Sequence, residues 1–119
     1  MPRILTWSSL QLLESSIIDN LPQEAGVYRL SYKSADGPYY VFYVGQADNI
    51  RERLTQHLNG INKNPCVTTY IKNLKCYFVY TLITESNLRK DIERTNYDHF
   101  KPKCNVQMPA GNFIDINYN

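Results

Sequence analysis

The feature that most constrains this chain is a pair of extended runs around a tight-turn sequence. Val27 to Tyr32 and Tyr39 to Val44 alternate in the β manner, with Ser34-Ala35-Asp36-Gly37-Pro38 between them. Asp-Gly reverses the backbone at low steric cost, and Pro38 opens the return strand. The two runs predict an antiparallel hairpin.

The flanking sequence supplies cover for it. From Asn49 to Asn59, the residues Ile50, Leu54, Leu58 and then Ile61 fall on one stripe, which predicts a helix packed back on the hairpin, with Asp48 or Asn49 as its cap. A short helical piece, Val67 to Asn73, leads into Cys76 to Ile83, a run so rich in β-branched and aromatic residues that it reads as a buried strand. Ser86 is placed to cap a second long helix, Asn87 to Phe100, which Pro102 stops. Upstream, Trp7, Leu10, Leu13 and Ile17 have the spacing of a lead-in helix. The expectation is an α/β (α+β) fold, a mainly antiparallel sheet of about three strands flanked by helices. The 119 residues suffice for one core: a lead-in helix in 1–21, a core in 22–105 and a C-terminal extension in 106–119.

A net charge of +2, from scattered basic residues, gives no polybasic surface, so any case for nucleic acid must come from a site. The three cysteines, Cys66, Cys76 and Cys104, form no Cys-x-x-Cys pair, and neither His57 nor His99 stands at zinc-finger spacing from one. A zinc site or disulfide framework is not expected. No apolar run approaches the roughly 20 residues that span a bilayer, and the N-terminus lacks a signal-peptide layout. A cytoplasmic location without membrane contact is the expectation.

Several polar side chains stand oddly for a purely structural domain. Arg53 and His57 are four apart, on one side of their helix at the edge of the apolar stripe, where the hairpin's tyrosines would meet them. Glu93, Tyr97 and Phe100 share helical register on the other long helix, which sets one carboxylate beside aromatic rings. Such a carboxylate wants a cation. Each residue alone has a plainer reading: Tyr28 and Tyr43 as half-buried strand tyrosines, Arg53 as a solvated charge, His57 and His99 as boundary histidines, Glu93 as a surface partner of Lys90 or Arg89, Asn105 as a turn former.

Together they resemble something specific. Gly26-Val27-Tyr28, followed on the next strand by Tyr43-Val44-Gly45, resembles the paired tripeptides that name the GIY-YIG nuclease family, with valine for isoleucine in both. Arg53 and His57 stand ten and fourteen residues after Tyr43, at the family's arginine and histidine-or-tyrosine positions, and Glu93 precedes Asn105 by twelve. Lys101-Pro102-Lys103-Cys104-Asn105 is similar to the family's Lys-Pro-x-aromatic-Asn ending. Three departures stand out: the fifteen residues from Tyr28 to Tyr43, Cys104 in an aromatic position, and Gln46 where many relatives have lysine. The likeness runs from Pro22 to about Asn105 and is similar to the N-terminal nuclease domain of the UvrC excision-repair family.

The resemblance implies a metal-dependent endonuclease that hydrolyses DNA phosphodiester bonds to 5'-phosphate and 3'-hydroxyl ends. Glu93 would hold one Mg2+ or Mn2+ ion. Tyr28 would be the general base, its pKa pulled down by the cationic field of Arg53 and His57. Tyr43 would orient the water or the phosphate, and Asn105 would position Glu93 or the backbone near it. Arg53, Gln46, Lys101 and Lys103 would meet the nucleic acid, while Gly26 and Gly45 give room for close backbone approach. Arg51, Lys63, Lys72, Lys75, Arg89 and Lys90 are further candidates for phosphate contact. The expected partner is DNA, whether duplex, branched or single-stranded, with RNA, a protein partner and a second copy left open. The alternative is a non-catalytic or partner-dependent binding module on the same fold.

Overall fold

The computed structural model describes residues 3–119. In chain order the elements are β1 (Gln11–Leu12), α1 (Ser15–Ile18), β2 (Gly26–Lys33), β3 (Tyr39–Ala47), α2 (Ile50–Leu58), α3 (Pro65–Asn73), β4 (Cys76–Leu82) and α4 (Ser86–Phe100). The sheet runs β1-β4-β2-β3, and each neighbouring pair is antiparallel. It has four strands rather than about three.

The hairpin forms as expected, and its extra length goes into its strands. Pairing extends from Gly26↔Ala47 to Lys33↔Tyr39, with one irregularity between Leu30 and Ser31, and Ser34 N–H bonds the Pro38 carbonyl across the turn. Alternation along β2 gives each face its own core. Tyr28 and Leu30 pack with Ile50, Leu54 and Val67 of α2 and α3, while Val27 packs with Ile92 of α4 and with Leu5 and Ile116 from the two ends of the chain. Arg29 lies on this second side. Its guanidinium sits 4.6 Å from the Trp7 ring centroid and 4.8 Å from that of Phe100, so its charge is held by aromatic faces rather than by a carboxylate.

The lead-in helix is the main correction. Only Ser15–Ile18 is helical, and the preceding residues lie along β4: Gln11 and Leu12 pair with Phe78 and Tyr77, Ser8 N–H bonds the Tyr80 carbonyl at 2.7 Å, and Ser8 Oγ accepts from Tyr80 N–H. A short helix is marginal by itself, whereas the outer edge of β4 carries backbone groups that need partners, and the edge wins. Ile61 is also misplaced by periodicity. α2 ends at Leu58, and Ile61 beyond it is 70% exposed.

The second correction is covalent. Cys66 and Cys104 form a disulfide across a sequence separation of 38, and only Cys76 is free. Two hydrogen bonds bring the partners together: Asn64 Nδ2 donates to the Cys104 carbonyl and Cys104 N–H to that of Phe42. The tail, unreadable by periodicity, is pinned to α4 by Asn112 N–H on Asp91 and Ile114 N–H on Thr95 Oγ1, while Asn117 brackets the backbone of Leu5. Among the described residues no helix is long and apolar enough to cross a membrane.

Candidate active site

Tyr28 and Gly45 are directly opposed in the hairpin register. A Cβ on residue 45 would stand 2.6 Å from the Tyr28 hydroxyl and 2.7 Å from Cζ, so the phenol lies flat on the space that the missing side chain leaves. Gly26 serves the same end of the sheet, where a Cβ would collide with the Thr81 carbonyl and press on Ile50. The glycines of the two tripeptides are therefore packing requirements.

The Tyr28 hydroxyl lies 2.6 Å from His57 Nε2, with both residues buried. His57 gets there because Ile50, Leu54 and His57 form the inward stripe of α2, which Asn49 caps through Glu52 N–H. Burial, followed by the charge of Arg53, lowers the His57 pKa to about 4, so the ring is neutral at pH 7. The neutral ring carries its proton on one nitrogen: Nδ1 is buried without a partner, and Nε2 shares with the Tyr28 hydroxyl a hydrogen bond whose direction depends on the tautomer. This corrects the expected electrostatics. His57 supplies no positive charge, and Tyr28 is driven well above its ordinary pKa, first by burial and next by Tyr43, with Arg53 acting in the opposite sense.

Tyr43 is the phenol that faces outward. It lines one hollow with Arg53, Gln56 and His57 and a second with Glu93 and Asn105, and Lys63 and Asn64 border both. Burial and then Glu93 raise its pKa, and Arg53 lowers it. Arg53 itself is exposed at the rim, one turn before the buried His57. Glu93 reaches the same place from α4, and burial pushes its carboxyl up to about 7 against the smaller lowering effects of Gln46 and Arg53.

Gln46 and Arg89 are turned to different work from that expected. Arg89 is buried and donates to Gln46 Oε1, to the Ile83 and Thr84 carbonyls and to Asp48, so four of its five N–H donors are used within the protein. Fixing the carbonyl end of Gln46 leaves its amide end beside Glu93, where it favours the ionised carboxylate. Asn105 spends its side-chain hydrogen bonds on Val44 rather than on Glu93. Its side chain accepts from Val44 N–H at 3.0 Å and donates to the Val44 carbonyl at 2.9 Å, completing the open edge of β3 next to Tyr43. Lys101 and Lys103 are exposed in the turn after α4, Lys101 with a φ of 49°, and neither borders the two hollows. Asn64, which lines both, was visible in the sequence only as a polar residue before Pro65, where it caps α3.

No three His, Cys, Asp or Glu side chains cluster among the described residues, so an ion held here would take one protein carboxylate and keep waters in most other positions. A hard divalent cation tolerates that arrangement. A carboxyl with its pKa raised to about 7 by burial, in a hollow whose other polar groups are phenol, amide and ammonium and whose far wall is the apolar run around Met108 and Pro109, fits such a ligand.

The model of the GIY-YIG catalytic domain matches residues 24–105. The chain belongs to the GIY-YIG family. It is 28% identical over 92 residues to UvrABC system protein C of Methanococcus maripaludis, covering 76% of this chain and 16% of that protein. With UvrABC system protein C of Rickettsia rickettsii it shares 30% over 96 residues, 81% of this chain and 14% of the relative. The chain thus spans a small part of those proteins. The fold matches the N-terminal GIY-YIG endonuclease domain of UvrC from Thermotoga maritima bound to its catalytic divalent cation, magnesium, with a TM-score of 0.58 and 22% identity over 76% of this chain and 93% of that one. A point mutant of the same domain, also bound to its catalytic divalent cation, gives 0.59 and 22%, covering 77% and 93%.

Proposed function

We propose that this GIY-YIG chain is an endonuclease that hydrolyses DNA phosphodiester bonds with one Mg2+ or Mn2+ ion held at Glu93. The observation that supports this best is the convergence of a desolvated carboxyl, Glu93, and an outward phenol, Tyr43, on one hollow, in front of the buried Tyr28–His57 hydrogen bond. A binding module has no use for that hydrogen-bonded pair behind a carboxyl. When bound, the ion neutralises the scissile phosphate and stabilises the leaving oxygen.

The chain's own residues handle the proton. Tyr28 takes one from the attacking water while its own hydroxyl hydrogen passes to His57 Nε2, which accepts it in the neutral tautomer whose proton is on Nδ1. The hydroxide bonds to phosphorus, the P–O3' bond breaks, and the 3' oxygen takes a proton from solvent water to give a 3'-hydroxyl and a 5'-phosphate, while the proton held by His57 returns to solvent. Tyr43 orients the water, Arg53 at the rim binds a phosphate oxygen, and Asn105 acts indirectly by fixing Val44. Double-strand cutting by one such site requires a second copy or two sequential nicks. The compartment we propose is the cytoplasm, where the Cys66–Cys104 bond would meet reductant.

The test is nicking of supercoiled plasmid by the purified protein in Mg2+ or Mn2+, beside Glu93→Ala and Tyr28→Phe. Cleavage by the parent alone, abolished by chelator, is the expected result. Nucleic-acid binding without metal-dependent cleavage of plasmid, branched or single-stranded DNA would transfer the reading to a binding module.

A further inference from the structure

The candidate active site continues beyond Glu93 and Arg53. Lys63 and Asn64, which border both of its hollows, also border a third that runs along α3 past Thr68, Thr69 and Lys72. The three concavities share this one wall. They form a single path that leads from Tyr43 and Glu93, across the loop before α3, onto the helix itself.

Its chemistry is uniform. Arg53, Lys63 and Lys72 are exposed cations, and among the described residues none of them forms an ion pair. Glu93, at the active-site end, is the only carboxylate on the path. The α3 portion offers amides, hydroxyls and ammonium groups and no aromatic ring, so it suits a polyanion's backbone rather than stacked bases. The first turn of α3, capped by Asn64, adds the partial positive charge of a helix N-terminus. Position is also fixed. Asn64 Nδ2 donates to the carbonyl of Cys104, whose neighbour Asn105 grips Val44 beside Tyr43, so the path is held in register with the site, and the Cys66–Cys104 bond adds a covalent tie while it is oxidised.

We propose that the loop before α3 and the exposed face of α3 bind the sugar–phosphate backbone of one DNA strand to one side of the cleaved bond, with Lys63 and Lys72 on successive phosphate contacts. The proposal rests on the nuclease reading and extends it. A nine-residue helix is roughly 13 Å long, about four duplex steps of roughly 3.4 Å, which leaves room for two phosphate contacts.

The experiment is fluorescence anisotropy of labelled DNA with Glu93→Gln protein, titrated across a series of salt concentrations. The same measurement is made with Lys63→Gln and Lys72→Gln added, and with Arg3→Gln and Lys33→Gln added as an equal change of charge off the path. The Lys63/Lys72 variant is expected to bind roughly tenfold more weakly, with a salt slope smaller by about 2 on duplex, while the Arg3/Lys33 variant follows the parent. If the unsubstituted chain nicks DNA and the Glu93→Gln protein binds it, but the Lys63/Lys72 variant keeps that affinity and slope, the path is overturned and the nuclease reading stands. An equal loss in both variants overturns it too, by showing a net-charge effect. If the parent neither binds nor nicks DNA, both readings fall together.

Discussion

Gly45→Ala isolates the contact on which the site is built. The added Cβ would stand 2.6 Å from the Tyr28 hydroxyl, 2.7 Å from Cζ and 3.0 Å from Cε1, whereas carbon atoms in good contact lie about 3.5–4.0 Å apart. The ring must retreat by about 1 Å, and Tyr28, buried between Tyr43 and His57, has no solvent to retreat into. Overpacking of this kind costs about 1–3 kcal/mol. The Tyr28–His57 bond, now 2.6 Å, would lose its present length and alignment as the ring moves. A displacement of about 1 Å at a reacting group costs about 100-fold in rate, so single-turnover nicking should fall by that factor while urea denaturation still reports a cooperative fold. Gly37→Ala is the control. Its φ is 116° and nothing lies within 4 Å, so it should lose stability through backbone strain and keep its nicking rate. A Gly45→Ala protein that nicks at the parental rate would refute the idea that the glycine positions the phenol.

Other consequences follow from the same geometry. His57, at about 4 when folded against an ordinary 6.5, takes up a proton on unfolding between those values; its contribution is present above pH 6.5 and falls away as pH drops, by about 2 kcal/mol at pH 5. Glu93, raised to about 7, works in the opposite direction, so the effect is read as the difference in urea-derived stability between the parent and His57→Gln from pH 8 to pH 5; equal acid slopes would sink it. Reducing the Cys66–Cys104 bond, or replacing Cys104 with Ser, should cost about 4 kcal/mol from the loop it closes, and a loss below about 1 kcal/mol in denaturation experiments would show that the bond does not constrain the unfolded chain. Asn105→Asp keeps the bond from Val44 N–H but sets a carboxylate against the Val44 carbonyl, so stability should fall by about 1–3 kcal/mol and nicking should drop with DNA affinity retained.

Most local signals were legible, although Ser86 is the first residue of α4 rather than its cap, Glu85 standing before it with no side-chain cap bond. The Asp-Gly turn, the Ile50 and Leu54 stripe, the Asn49 cap and the stop before Pro102 each depend on neighbours a few residues away, and each stands where expected. Trp7 to Ile18 failed because its apolar spacing satisfies a helix and an edge segment equally well, and the deciding partner, β4, lies some 65 residues downstream. The disulfide was invisible for the same reason. No spacing rule reports that α3 begins beside the segment after α4, and three cysteines permit several pairings. Within the site, the order of Tyr28, Tyr43, Arg53, His57, Glu93 and Asn105 was readable, but their environments were not. That His57 is neutral, that Arg89 is consumed internally and that Asn105 holds an edge strand are properties of burial and partner choice.

Those environments carry the electrostatic case. Tyr28, Tyr43 and Glu93 are all displaced upward, burial is the largest cause for each, and the negative charge of Glu93 adds to the displacement of both phenols. Arg53 opposes all three shifts, but it is exposed at the rim and cannot offset the burial of the groups behind it. His57, which would otherwise supply a second cation, is kept neutral by the same burial. The protein thus assembles three acids and one proton acceptor in a setting deficient in positive charge. A single cation at Glu93 would oppose all three shifts at once, by favouring the ionised carboxylate and offsetting its repulsion of the phenolates, while the larger effect of burial remains. A purely architectural cluster gains nothing from that shared sensitivity, since its phenols and carboxyl are most stable when they keep their protons. A hydrolytic site gains a base that becomes effective only when the ion is in place.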